Sequence, residues 1–228
     1  MNKNHRAVLY GMSIGDGCIS KQPTNKNYAL TIGHGPKQET YLRAKADKLL
    51  SIFGGSPVSI NTYTSFNKTA NKEYTNLQIR KLHPYFNQMH RNLYPKGKKV
   101  ITRKVLDFLN DEGLAYWFMD DGSGTVCKSK NGYGCGCMVR LSTYCSKEEA
   151  ETISAYFRDK YKLTCKFDID KRNNKYSIRF GTLDSKRFAE IVAPHILSSM
   201  WYKIESVLEY TPRVLGTQTG KAVGEDIV

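Results

Sequence analysis

Two apolar stretches set the pattern of the chain. Residues 9–17 read LYGMSIGDG and residues 114–122 read LAYWFMDDG. Each starts on leucine, stays apolar for two helical turns and ends in Asp-Gly, which predicts a buried helix stopping at a turn. Asp16 and Asp121 stand 121 − 16 = 105 residues apart, close to half of the 228-residue chain. The material after each motif matches too. After Asp16 the pattern predicts a hairpin at 18–21 and 28–34, a helix at 39–53, strands at 57–64 and 74–81, and a helix at 83–93. After Asp121 it predicts strands at 125–128 and 138–144, a helix at 147–161, strands at 164–170 and 175–181, and a helix at 185–197. Each half reads helix, two strands, helix, two strands, helix, as an internal duplication does.

The strands rest on period-two alternation. Phe167 and Ile169 alternate with Lys166, Asp168 and Asp170, and Tyr176, Ile178 and Phe180 alternate with Lys175, Ser177 and Arg179. Arg172-Asn173-Asn174 supplies the turn between them. In the first half Leu77 and Ile79 alternate with Asn76, Gln78 and Arg80. One face is apolar and packs on helices. The other is polar and basic, and is left free to meet a partner. Three segments follow: a first half at 1–110, a second half at 111–212, and a tail at 213–228 with little apolar pattern.

Charge narrows the partner. The chain has 35 lysines and arginines against 21 aspartates and glutamates, a net charge of +14. Such an excess opposes compaction and suits nucleic acid, where each neutralised phosphate releases counterions. A membrane surface is the weaker reading, because no segment forms a long basic amphipathic helix. No apolar run is long enough to span a bilayer, and the N-terminus lacks a secretory apolar region, so an intracellular location is expected. There the six cysteines are expected to be free thiols. Cys127, Cys135, Cys137 and Cys145 cluster along the chain, without the paired spacing of a zinc knuckle.

The motif aspartates carry the chemistry. A helix C-terminus has partial negative charge and unpaired carbonyls, so two carboxylates on two adjacent ends repel unless a divalent cation sits between them. Carboxylate and carbonyl oxygens are the ligands magnesium and calcium prefer, and such ions activate water for phosphodiester cleavage. Asp16 and Asp121 supply the carboxylates, with the carbonyls of Gly15 and Asp120 as further ligands. Gly11 and Gly15 share a helix face that allows close approach, as Ala115 and Met119 share one in the second copy. Gly17 and Gly122 fit a helix end where a left-handed backbone is wanted. A lysine repeats with the aspartate: Lys99 lies 99 − 16 = 83 residues after Asp16, and Lys203 lies 203 − 121 = 82 after Asp121. The neighbouring Lys98 leaves the first register open by one.

The two motifs and their order resemble the paired signatures of single-chain LAGLIDADG homing endonucleases, over about residues 6–211. The resemblance implies an α+β fold of tandem, pseudo-symmetric αββαββα halves. Their motif helices form the central interface, and two curved antiparallel sheets form a saddle over double-stranded DNA. It implies a monomer that makes a magnesium-dependent double-strand break with short 3′ overhangs at a long, loosely palindromic site. Manganese or calcium fits the same site, calcium without cleavage. Asp16 and Asp121 match the metal-binding aspartates, and Lys99 and Lys203 fall where the family carries a basic residue near the cleavage centre. Arg80, Arg140, Arg172, Lys175 and Arg179 are the candidate DNA contacts, to bases or to phosphates. Asp120 stands where the first copy has Gly15, so an extra carboxylate is expected in the second site. The same fold also serves as a group I intron maturase, which adds intron RNA as a partner, or as a DNA-binding protein that does not cut. The chain opens on Met1 and lacks a His-Asn splicing end, so it is expected to stand outside an intein.

Overall fold

The two motif helices are capped alike. In the computed structural model, which describes residues 1–67, 69, 71–130 and 132–211, helix α1 (Lys3–Ile14) starts at Asn2, whose Oδ1 accepts from the His5 N–H at 2.7 Å. Helix α5 (Asp111–Asp121) starts at Asn110, whose Oδ1 accepts from the Gly113 N–H at 2.9 Å. The helices are buried on every side from Ala7 to Ile14 and from Gly113 to Met119. They cross at two glycines. A Cβ on Gly11 would lie 2.0 Å from the Gly113 carbonyl oxygen, and one on Gly113 would lie 2.4 Å from that of Ala7. Gly113 is thus the small residue that meets Gly11, in place of the expected Ala115 and Met119.

Each half adds a four-stranded antiparallel sheet. Strands β1 (Cys18–Ser20), β2 (Ala29–His34), β3 (Ile60–Asn67) and β4 (Lys72–Leu82) lie in the order β1-β2-β4-β3. Strands β5 (Gly122–Lys128), β6 (Gly134–Cys145), β7 (Cys165–Asp170) and β8 (Lys175–Phe180) lie in the order β5-β6-β8-β7. The shared order makes the duplication visible, and Ile32 opposite Ile79 corresponds to Leu141 opposite Ile178. Helices α2 (Glu39–Phe53) and α3 (Tyr85–Leu93) pack on the first sheet. Helices α6 (Lys147–Tyr161) and α7 (Thr182–Val192) pack on the second. Short helices α4 (Arg103–Leu106) and α8 (Glu205–Glu209) complete the fold. One core runs through both halves, from Leu9, Met12 and Leu42 to Trp117, Phe157 and Phe188. The fold is α+β, built as two αββαββα halves.

Helices 39–53 and 147–161 fall where the pattern places them. Three edges differ. Strand β3 starts three residues later than the pattern predicts, because β4 sets its register out to Asn67 opposite Lys72. The helix predicted at 185–197 begins at Thr182 and ends at Val192, since Pro194 has no N–H to continue it. The short helices α4 and α8 carry too little apolar repeat to be read. The expected tail at 213–228 lies outside the described residues.

Candidate active site at the two helix ends

Asp16 and Asp121 sit at matching places with different surroundings. Helix α1 stops at Ile14 and Gly15 caps it, which sets Asp16 just beyond the helix with its side chain 40% exposed. Helix α5 runs through Asp121, whose Oδ2 accepts from the Trp117 Nε1–H at 3.1 Å. The glycines after them do not take the expected left-handed backbone. Gly122 is extended at φ −90° and ψ 155°, and Gly17 is not among the positive-φ glycines. Both are needed for space: a Cβ on Gly17 would lie 2.5 Å from the Met12 carbonyl oxygen, and one on Gly122 would lie 2.1 Å from the Phe118 ring.

The repeated lysines reach the helix ends. Lys99 Nζ donates to the carbonyls of Ile14, Gly15 and Gly17 at 3.3, 2.9 and 3.0 Å. Lys203 Nζ donates to those of Met119 and Asp120 at 2.5 and 3.2 Å. The equivalent contacts fix the first-half register on Lys99. They also mean that the Gly15 and Asp120 carbonyls, expected as metal ligands, already accept from lysine. Burial lowers the pKa of both lysines, and the nearby carboxylates oppose that shift.

The Asp120 carboxylate is not an extra ligand of the second site. It turns toward the first half and is fully buried. Its Oδ1 accepts from Lys45 Nζ at 2.5 Å and from the Tyr41 hydroxyl at 2.8 Å, and its Oδ2 accepts from the Asp16 N–H at 3.1 Å. Gly15 makes this possible, because a Cβ there would lie 2.5 Å from Asp120 Oδ2. His34 completes the group. Its Nε2 lies 3.0 Å from Lys45 Nζ and its Nδ1 lies 3.6 Å from Asp16 Oδ2. Burial, and then the Lys45 charge, push the His34 pKa down to about 4. The ring is therefore neutral, and its approach to Asp16 is not an ion pair.

The carboxylates carry the electrostatic signature of a cation site. Burial, then the Asp120 charge, raise the Asp16 pKa. Burial, then the charges of Asp120 and Asp16, raise Asp121 to about 7. Two crowded carboxylates with raised pKa values are a donor set that a hard divalent cation fits. Asp16, His34 and Asp120 also bring three donor atoms within 4.8 Å of one another. Asp120 is already saturated by three donors, so Asp16 is the member left free for an ion.

The folded Asp121 keeps its proton to about pH 7, whereas an unfolded aspartate loses it near pH 4. Between those values the folded state binds more protons, so its stability falls as pH rises. Asp121→Asn removes that slope. In EDTA at pH 8 the variant is expected to be more stable than the parent by about 2 kcal/mol, with little difference at pH 5. Thermal melts at the two pH values check it. An unchanged difference between them would show that Asp121 does not titrate in this range.

Asp121 opens on a cleft of about 300 Å³ also lined by Lys99, Tyr144, Glu149 and Lys175. A register shift between Leu141 and Cys145 makes its wall, where Tyr144 takes a left-handed φ of 42° and stays exposed. Lys175 thus stands at the rim of this cleft. Arg140 and Arg179 are cross-strand neighbours on the polar face of the second sheet. Both are held by Asp168, Arg179 Nε at 2.7 Å and Arg140 Nε at 3.7 Å. Arg80 pairs with Thr31 on the corresponding face of the first sheet. Arg172 lies in the β7–β8 turn, 87% exposed and bonded to Asp170. The clustered cysteines do not converge. Cys135, Cys137 and Cys145 direct their sulfurs to the carbonyls of Cys127, Thr182 and Tyr176, and all six thiols are free. No helix among the described residues is long and apolar enough to cross a membrane.

His34, Tyr41, Lys45 and Trp117 are site residues that the motif reading missed. A signal for Lys45 does exist: it falls in the i, i+4 stripe of Tyr41, Lys45 and Leu49, all buried.

Comparison with known proteins agrees with this architecture. Residues 6–188 match the LAGLIDADG DNA endonuclease family. A probable intron-encoded endonuclease of Wickerhamomyces canadensis is 28% identical over 210 residues, covering 90% of this chain and 85% of that one. A RecA protein of Mycolicibacterium flavescens is 29% identical over 218 residues, covering 93% of this chain. This chain spans only about half of that RecA, 47% of its length. Among solved structures, the homing endonuclease I-WcaI bound to its DNA recognition sequence superposes with a TM-score of 0.72 at 25% identity, covering 89% of this chain and 86% of that one.

Proposed function

Since the chain belongs to the LAGLIDADG DNA endonuclease family, we propose that it is a site-specific endonuclease making a metal-dependent double-strand break with short 3′ overhangs. The observation that carries this reading is the repeated pair: a motif carboxylate at each helix end, with a buried lysine ammonium on the same end's carbonyls. Each strand thereby meets one carboxylate and one cation drawn from different halves: Lys99 lines the cleft of Asp121, and the Lys203 charge bears on Asp16 more than on Asp121.

Asp16 and Asp121 hold the divalent cation, magnesium in the cell. When bound, such an ion neutralises charge on the scissile phosphate and makes a water molecule more acidic. Lys99 and Lys203 are tethered by two or three carbonyls each, so their ammonium groups need no rearrangement to meet charge that develops on the phosphate. The polar sheet faces bring Arg80, Arg140 and Arg179 to the duplex, and Arg172 and Lys175 stand at the turn and the cleft rim. The two faces differ in sequence, so the target is only loosely palindromic.

The test uses DNA carrying a randomised central region, since the target follows from selection. Incubated with magnesium, the protein is expected to linearise a recurring subset of sequences, and with EDTA none. Cleavage in EDTA, or products with no shared sequence, would overturn the reading.

A further inference from the structure

Behind Asp16 lies a buried polar network with no counterpart behind Asp121. Lys45 has a fully buried ammonium with three donors, and each has a partner. These are Asp120 Oδ1 at 2.5 Å, His34 Nε2 at 3.0 Å, and the Tyr41 ring at 4.3 Å from its centroid. An ammonium only donates, so His34 Nε2 is the acceptor and the ring proton sits on Nδ1. That N–H looks onto Asp16 Oδ2 at 3.6 Å. The distance exceeds a formed hydrogen bond. Such contacts tighten in the productive complex, and the exposed Asp16 side chain is the partner free to turn. The network also takes the Asp16 backbone N–H, through Asp120 Oδ2 at 3.1 Å. It thus reaches Asp16 from two sides.

The second half lacks every part of this device. By cross-strand register from the equivalent pairs Ile32–Ile79 and Leu141–Ile178, Cys145 opposite Tyr176 stands where His34 opposite Leu77 does, beyond the register shift that follows Leu141. Counting from the starts of the two 15-residue helices, Glu149 stands at Tyr41 and Ile153 at Lys45. Gly15 stands at Asp120. We infer that His34 is a positioning residue for the Asp16 carboxylate alone, so that the two strands are cut under unequal control. The inference rests on the cleavage reading above and adds to it a residue and an asymmetry.

Two substitutions separate positioning from mere support of Lys45. Asparagine keeps an N–H near the Nδ1 position and loses the acceptor for Lys45. Glutamine keeps an acceptor near Nε2 and loses the Nδ1 donor. On a strand-labelled plasmid bearing a selected target, with magnesium, His34→Gln is expected to slow the strand that Asp16→Asn also slows by about tenfold. The other strand should stay within about twofold, and His34→Asn should cut both nearly as the parent does. The reverse order of the two variants, or an equal loss on both strands, would overturn the inference. His34→Thr, which keeps neither ring nitrogen, replaces His34→Gln if that variant does not fold. If the parent protein cuts neither strand, the cleavage reading fails, and manganese titrated by calorimetry decides the inference instead. Weaker manganese binding in His34→Gln with recovery in His34→Asn supports positioning, and identical binding in all three proteins rejects it.

Discussion

Asp16→Asn and Asp121→Asn are each expected to turn a linearising enzyme into one that nicks, with the two variants sparing opposite strands. An amide lacks the negative charge of a carboxylate and has one accepting oxygen instead of two, so each substitution weakens the group that anchors a cation at one helix end. Losing about 4 kcal/mol of charge stabilisation slows the affected strand by about 10³-fold. The folds should survive. Asp121 is a protonated acid near neutral pH and its Trp117 contact needs only an acceptor. The Asp16 side chain is 40% exposed and makes no close hydrogen bond. The assay is conversion of supercoiled plasmid to open-circular and linear forms with each strand labelled. Linear product at the parental rate from either variant would remove that aspartate from the chemistry.

The largest stability effect is expected at Lys45, away from the DNA. Lys45→Met conserves length and volume but leaves the Asp120 carboxylate charged, fully buried and without its ammonium. Breaking one side of a buried pair costs about 3–5 kcal/mol. In a domain of this size that corresponds to a fall in melting temperature of about 10 °C. The double variant Lys45→Met, Asp120→Asn removes both charges and is expected to recover a large part of the loss, because no charge is left buried and the amide oxygen can still accept from the Tyr41 hydroxyl. Thermal melts of the single and double variants form the cycle. Equal destabilisation in both would mean that Lys45 contributes packing rather than charge.

What could be read along the chain was what repeats. Element order, the motif aspartates and the lysine pair all follow from periodicity and from one offset near half the chain. Lys99 and Lys203 were legible as a pair because equivalent places in a duplication receive equivalent contacts. The features that break the symmetry were not legible, since one copy gives no template for them. Asp120 reads as a neighbour of Asp121, yet its carboxylate turns into the other half through the space that Gly15 leaves. His34 closes an alternating strand and carries no local sign that a lysine eleven residues on will meet it. The Asp-Gly chemistry of each motif points to left-handed caps at Gly17 and Gly122. Crowding against the last turn of the preceding helix, at Met12 and Phe118, is what requires these glycines. The arginine positions were legible as sheet-face residues, but their shared partner Asp168 depends on strand order, which no single strand displays.

The central claim is that the two motif carboxylates hold the cation that cuts DNA. Its most direct test is an anomalous-scattering map of the protein crystallised on its selected DNA target with manganese in place of magnesium. The expected result is manganese density about 2–2.6 Å from carboxylate oxygens of both Asp16 and Asp121, beside the phosphates that are cut and absent from the Asp16→Asn, Asp121→Asn double variant. Density elsewhere with none at these two aspartates, or density that persists in the double variant, would contradict it.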